Sequence, residues 1–183
     1  MTKKINGLPI IALYLGYGGV VPFLALTVFI LLGYSSMDII VILVEVGVTK
    51  DSGFNSQPKL FMSLHAWMAI YAAIILSFIG AIHWGVVIAL NDKLNSPEKN
   101  KLLIYSNVPA LLAWCSFLLP INITLFLLAL MILLTYFLDR LLLFKKLALN
   151  VSQDLAQDFA RLRLHLSVVV SILLFVTALN YSG

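Results

Sequence analysis

Phe61-Met-Ser-Leu-His-Ala-Trp-Met-Ala-Ile-Tyr-Ala-Ala-Ile-Ile-Leu-Ser-Phe-Ile-Gly-Ala-Ile-His-Trp-Gly-Val-Val-Ile-Ala-Leu90 contains no Asp, Glu, Lys or Arg. About 20 apolar residues in a helix cross the hydrocarbon core of a bilayer, so this stretch is long enough to span. Similar runs lie on both sides of it. Leu8 to Gly33 reads as a first span and Leu102 to Leu119 as a third. Pro120 and Asn122 mark a tight turn into a fourth, Ile121 to Leu138, and a fifth runs from Leu162 to Tyr181. The expected fold is all-α: one transmembrane domain over residues 1–183, a polytopic bundle of five helices with spans at 8–33, 61–90, 102–119, 121–138 and 162–181.

Composition supports this reading. Hydrophobic residues make up 62% of the 183 positions and charged residues 11%, with a mean hydropathy of +1.04. Soluble domains average about 25% charged residues because their surface must be hydrated. The surplus of Lys and Arg, 12 against 8 Asp and Glu, does not point to nucleic acid. These residues are scattered between apolar runs and are not gathered on a soluble face. The one cysteine, Cys115, excludes an intrachain disulfide and a Cys-based metal cluster, and its apolar setting suggests a small packing residue.

The first span follows Lys3 and Lys4 like the start of a signal peptide, but its apolar run is too long and lacks a small-residue cleavage site. It is expected to be retained. Gly16, Gly18, Gly19 and Pro22 predict a kink or a close helix contact within it. Ile39 to Val48 is apolar but too short to span and carries Glu45. From Leu141 to Arg163, apolar residues recur at three- and four-residue steps between Lys145, Lys146, Gln153, Asp154, Gln157 and Arg161. That period predicts an amphipathic connector before the last span, lying on the membrane surface or continuing the fourth span.

Basic residues set the expected orientation. With the N-terminus inside, the inner side holds Lys3, Lys4, Lys93, Lys99, Lys101, Arg140, Lys145, Lys146, Arg161 and Arg163, and the outer side only Lys50 and Lys59. The C-terminus is then outside.

Ionisable residues within a membrane are costly and mark candidate sites. None of Asp, Glu, Lys or Arg falls at the middle of a proposed span, and Asp139–Arg140 reads as a boundary marker at the end of the fourth. His65 and His83 share a helix face but lie about 27 Å apart, too far to bind one ligand together. His83 and His165 are expected at similar depth, near the inner ends of the second and fifth spans. They form the candidate polar site, with Ser77 and Trp84 beside them on the second span. A bis-histidine haem would need such a pair, but no further ligand or pocket signal accompanies it. No cofactor or metal is expected. Helix packing is expected at Gly18, Gly19, Pro22, Gly80 and Pro109, because small residues and breaks let backbones approach.

Five fragments carry a family resemblance: Gly16-Tyr-Gly-Gly-Val-Val-Pro-Phe23; Tyr71 with Ile75-Leu-Ser-Phe-Ile-Gly-Ala-Ile-His-Trp-Gly85; Val108-Pro-Ala-Leu-Leu-Ala-Trp114; Tyr136-Phe-Leu-Asp-Arg140; and Leu162-Arg-Leu-His-Leu166. In this order the chain resembles a domain-of-unknown-function family of small bacterial inner-membrane proteins that includes the animal mitochondrial transmembrane protein sixty-nine. The resemblance covers nearly the whole chain, and the second fragment is its most specific part. The stretch around Ile39–Ser56 is longer than the family usually shows. The resemblance implies five spans and a bacterial or mitochondrial inner membrane, and no activity, substrate or catalytic residue.

Three functions are consistent with these features. The first is a non-enzymatic accessory or assembly component, with the lipid bilayer and a membrane-protein partner or a second copy as its contacts, and no nucleic acid. The second is a small transporter or channel lined by the broken first helix. The third is a haem- or quinone-linked redox protein using His83 and His165.

Overall fold

The computed structural model describes residues 4–5, 8–35, 38–39, 41–42 and 63–181. Two short antiparallel strands, β1 (Lys4–Ile5) and β2 (Leu8–Pro9), precede the helices. These are α1 (Ile10–Gly18), α2 (Val21–Leu31), α3 (Leu64–Ala89), α4 (Ser96–Ser116), α5 (Ile121–Asp139), α6 (Lys145–Asn150) and α7 (Gln153–Leu179). A π-type turn, Arg140–Phe144, joins α5 to α6. The segment around Ile39–Val48, with Glu45, Lys50 and Lys59, lies largely outside the described residues.

Among the described residues, four helical stretches are long and apolar enough to cross a membrane: Ile10–Leu31, Leu64–Ala89, Ile121–Asn150 and Gln153–Leu179. The chain is an all-α, multi-pass integral membrane protein. The expected third span is the departure. Its helix starts at Ser96, six residues before the apolar run, and stops at Ser116, so its first turns carry Glu98, Lys99 and Lys101. Asn95 and Glu98 close that start with a reciprocal capping box, which satisfies two free backbone N–H groups.

The course of α4 is nonetheless fixed by its neighbours. The ends of α3 and α5 meet through His83 and Asp139, so these two helices run parallel and α4 carries the chain back between them. Its C-terminal end meets the start of α5, where the Thr124 hydroxyl donates to Ser116 O at 2.7 Å. At that same end His65 of α3 stacks edge-on against Tyr181, with ring centroids 5.1 Å apart. Helix α4 therefore runs the length of the bundle. The centre is formed by α3, α5 and α7, with α4 against α3 and α5 on one flank and α2 against α7 and α3 on the other.

The main core is apolar: Phe23, Met68, Leu76, Leu125, Leu128 and Leu174 are fully buried. Side chains on the outer surface are equally apolar, among them Ile88, Ile104, Leu118 and Leu130. Such a surface is matched to lipid chains.

The expected kink in the first span is present, and the connector takes the second of its two expected forms, a continuation of the fourth span. The first span is broken at Gly19–Val20, between α1 and α2. Pro22 sits in the first turn of α2, where its missing N–H costs nothing. Tyr71 Oη donates to Gly19 O at 3.0 Å and caps the break from α3. The amphipathic connector is no separate surface helix. Helix α5 continues through the π-type turn and α6 to Asn150, and α7 begins at Gln153, with Ser152 as its N-cap. At 30 and 27 residues these rods reach about 40–45 Å, well beyond a hydrocarbon core of about 30 Å. Their joined ends protrude on one side. Lys93 Nζ donates to Asn150 O at 2.8 Å and Lys146 pairs with Glu98, so the α3–α4 and α5–α7 turns lie at the same end.

Candidate functional site: a buried ionic cluster

The local sequence of α3 opens a gap for another backbone. A Cβ at Gly80 would lie 2.1 Å from Ser106 O of α4, a distance no side chain tolerates. Glycine is the one residue that lets α4 approach this far, and Pro109 is buried one turn further along the same helix. One turn beyond Gly80, His83 is brought against Tyr105, with ring centroids 4.8 Å apart and planes at 80°. Its Nδ1 lies 3.3 Å from Gly80 O.

The other ring nitrogen faces α5. His83 Nε2 is 3.2 Å from Asp139 Oδ1, and Arg163 Nε of α7 is 3.4 Å from Asp139 Oδ2. Hydroxyls complete the guanidinium's surroundings: Arg163 Nη1 donates to Ser167 Oγ at 3.2 Å and Nη2 to Thr135 Oγ1 at 3.4 Å. His83 is 0% exposed, Asp139 2% and Arg163 8%. The carboxylate and guanidinium cancel in charge, which is what allows either to be buried. Alignment is incomplete, since His83 Nε2, Asp139 Oδ1 and Arg163 Nε make no directed hydrogen bond among the described residues. The contacts act mainly as charge–charge and charge–dipole attraction.

One carboxylate thus ties three helices together. Asp139 belongs to the inward row of α5 that includes Leu125, Leu128, Ile132 and Thr135. Arg163 heads a row on α7 that continues with Ser167, Ser171 and Leu174, and Ser171 Oγ donates to Ala129 O at 2.9 Å.

Of the four residues expected to form the polar site, only His83 lies in this cluster. His165 has the right depth but the wrong face: two residues beyond Arg163, it points about 200° around the helix. It is exposed and meets Tyr17 of α1, Oη to Nδ1 at 3.4 Å. His83 and His165 are not partners. Ser77 is exposed and donates to Ala73 O of its own helix, and Trp84 is 49% exposed. Gly18 has nothing within 4 Å of an added Cβ, whereas Gly16 sits under Leu166 at 3.2 Å. Cys115 is exposed, facing outward and not packed inside.

Sequence reasoning missed Asp139 and Arg163. In sequence Asp139 looks like a helix end and Arg163 like one more solvated cation, whereas the helix continues to Asn150 and Arg163 is buried. The signal was present in their helical spacing to Thr135 and to Ser167. Among the described residues, no group of three His, Cys, Asp or Glu could hold a metal ion.

Comparison with curated proteins and with solved structures finds no match. The family model described as "Protein of unknown function (DUF3429)" matches residues 8–179, nearly the whole chain, and the protein belongs to that family.

Proposed function

We propose that this protein is a non-enzymatic accessory or assembly component of a bacterial or mitochondrial inner membrane. In this reading it crosses five times, with its N-terminus inside and its C-terminus outside. The observation that carries the proposal is the burial of His83, Asp139 and Arg163 at 0%, 2% and 8%. A catalytic or transport site must be reached by its substrate, whereas this cluster is enclosed by α3, α4, α5 and α7. Its chemistry is that of a clamp: it fixes the register of helices that apolar contacts alone would let slide.

The fifth crossing is supported by the course of α4, whose 21 residues extend about 31 Å along the bundle. Orientation is supported by Lys93, Lys99, Lys101, Arg140, Lys145, Lys146 and Arg161 at one end, the pattern of an inner face. The partner is a membrane protein or a second copy of the chain.

Purification in native lipids, followed by mass spectrometry and a visible spectrum, tests this function. The expected result is a stoichiometric membrane-protein partner and no chromophore. A tightly held cofactor, or solute flux in vesicles containing only this protein, overturns it.

A further inference from the structure

A groove of about 620 Å³ opens between the π-type turn and α6 on one side and the first turns of α7 on the other. Its rim carries Arg140, Lys145 and Arg161, and its floor is made of Phe144, Ala156 and Ala160. All three cations are exposed. Asp158 approaches Arg161 at 3.8 Å, but among the described residues Arg140 and Lys145 have no acidic partner. The groove is therefore electropositive at the rim and apolar at the base.

The π-type turn accounts for the pairing of the first two cations. In an unbroken α-helix, residues five apart point about 140° away from each other. Bonding from i to i+5 over Arg140–Phe144 widens the turn, so that Arg140 and Lys145 come to line the same groove. This widening is the one irregularity in a 30-residue helix, and it falls where the two charges are gathered.

Depth identifies the ligand. Counting about 20 residues from the start of α5 at Ile121 brings the hydrocarbon boundary to Arg140. Counting back from the end of α7 at Leu179 brings it close to Arg161. The groove thus opens at the level of the lipid headgroups. Leu164, which lines the groove, and Phe137 are both exposed on its hydrocarbon side.

We infer that this groove binds the headgroup of an anionic phospholipid, with the phosphate between Arg140 and Lys145 and the acyl chains on the adjoining apolar surface. Basic pockets between membrane helices recognise such headgroups through the same complementarity. The site is separate from the buried cluster, and the inference does not depend on which end of the protein faces inward.

Native mass spectrometry of the full-length protein with defined phosphatidylglycerol and phosphatidylcholine tests it. Each cation near an anionic headgroup contributes on the order of fivefold in affinity. Arg140→Gln/Lys145→Gln should weaken phosphatidylglycerol retention roughly 25-fold, and Lys145→Gln alone about fivefold, without changing phosphatidylcholine. Lys99→Gln/Lys101→Gln removes the same charge from the same end and should leave retention unchanged. The single variant keeps the test valid if the double variant loses its fold. Equal retention of both lipids would overturn the inference and favour an acidic protein segment as occupant. Equal loss in the pocket and control variants, or displacement of the lipid by millimolar inorganic phosphate, overturns it as well.

Discussion

Asp139→Leu removes the one anion in a cluster that also holds a guanidinium and an imidazole. Arg163, 8% exposed, would be left with two hydroxyls at 3.2 and 3.4 Å, and His83 Nε2 would face a methyl group. Breaking a buried pair by removing one partner costs about 3–5 kcal/mol, because the remaining charge stays desolvated. Replacing both partners is different: an apolar pair of similar volume is often neutral or stabilising. Asp139→Leu/Arg163→Met should therefore recover most of the stability lost by Asp139→Leu alone. Reversible unfolding in mixed micelles, run as a double-mutant cycle, measures both quantities. A single variant within about 1 kcal/mol of wild type, or a double variant as unstable as the sum of its parts, would show that the cluster is not a closed clamp.

Gly80→Ala should also destabilise, by about 1–3 kcal/mol, since its Cβ would meet Ser106 O at 2.1 Å. Gly18→Ala, which meets nothing within 4 Å, is the control, and equal melting of the two variants would contradict the close α3–α4 contact. The Lys146 ammonium, with the Asn95 backbone N–H, holds the Glu98 carboxyl below its usual range. That contribution is complete above the unfolded pKa of about 4.3 and is lost as pH falls through the lower folded value. Lys146→Met should therefore flatten the acid side of the stability–pH profile, and an unchanged profile would remove the pair from the account.

Long apolar runs made the membrane class and most helix positions legible, because hydrocarbon length and backbone hydrogen bonding leave few alternatives. The ends of helices were harder. Asp139 and Arg140 look like a boundary in sequence, but the helix continues to Asn150, so Asp139 points inward and Arg140 outward. Depth along α3 and α7 was readable from residue counts, which placed His83 opposite the start of α7. The facing residue was not, because one step along a helix turns the side chain by about 100°. Arg163 took the position expected of His165. A polar row at helical spacing on α7, Arg163-Ser167-Ser171, is a better guide to an inward face than the identity of any one histidine.

Reporter fusions at four points test the proposed five-span bundle, with its basic end inside, most directly. An enzyme active only outside the inner membrane should be active when fused after Pro120 or Gly183 and inactive after Lys99 or Asn150. The fusion after Pro120 decides whether α4 crosses. Inactivity there, or activity after Lys99, would contradict the account.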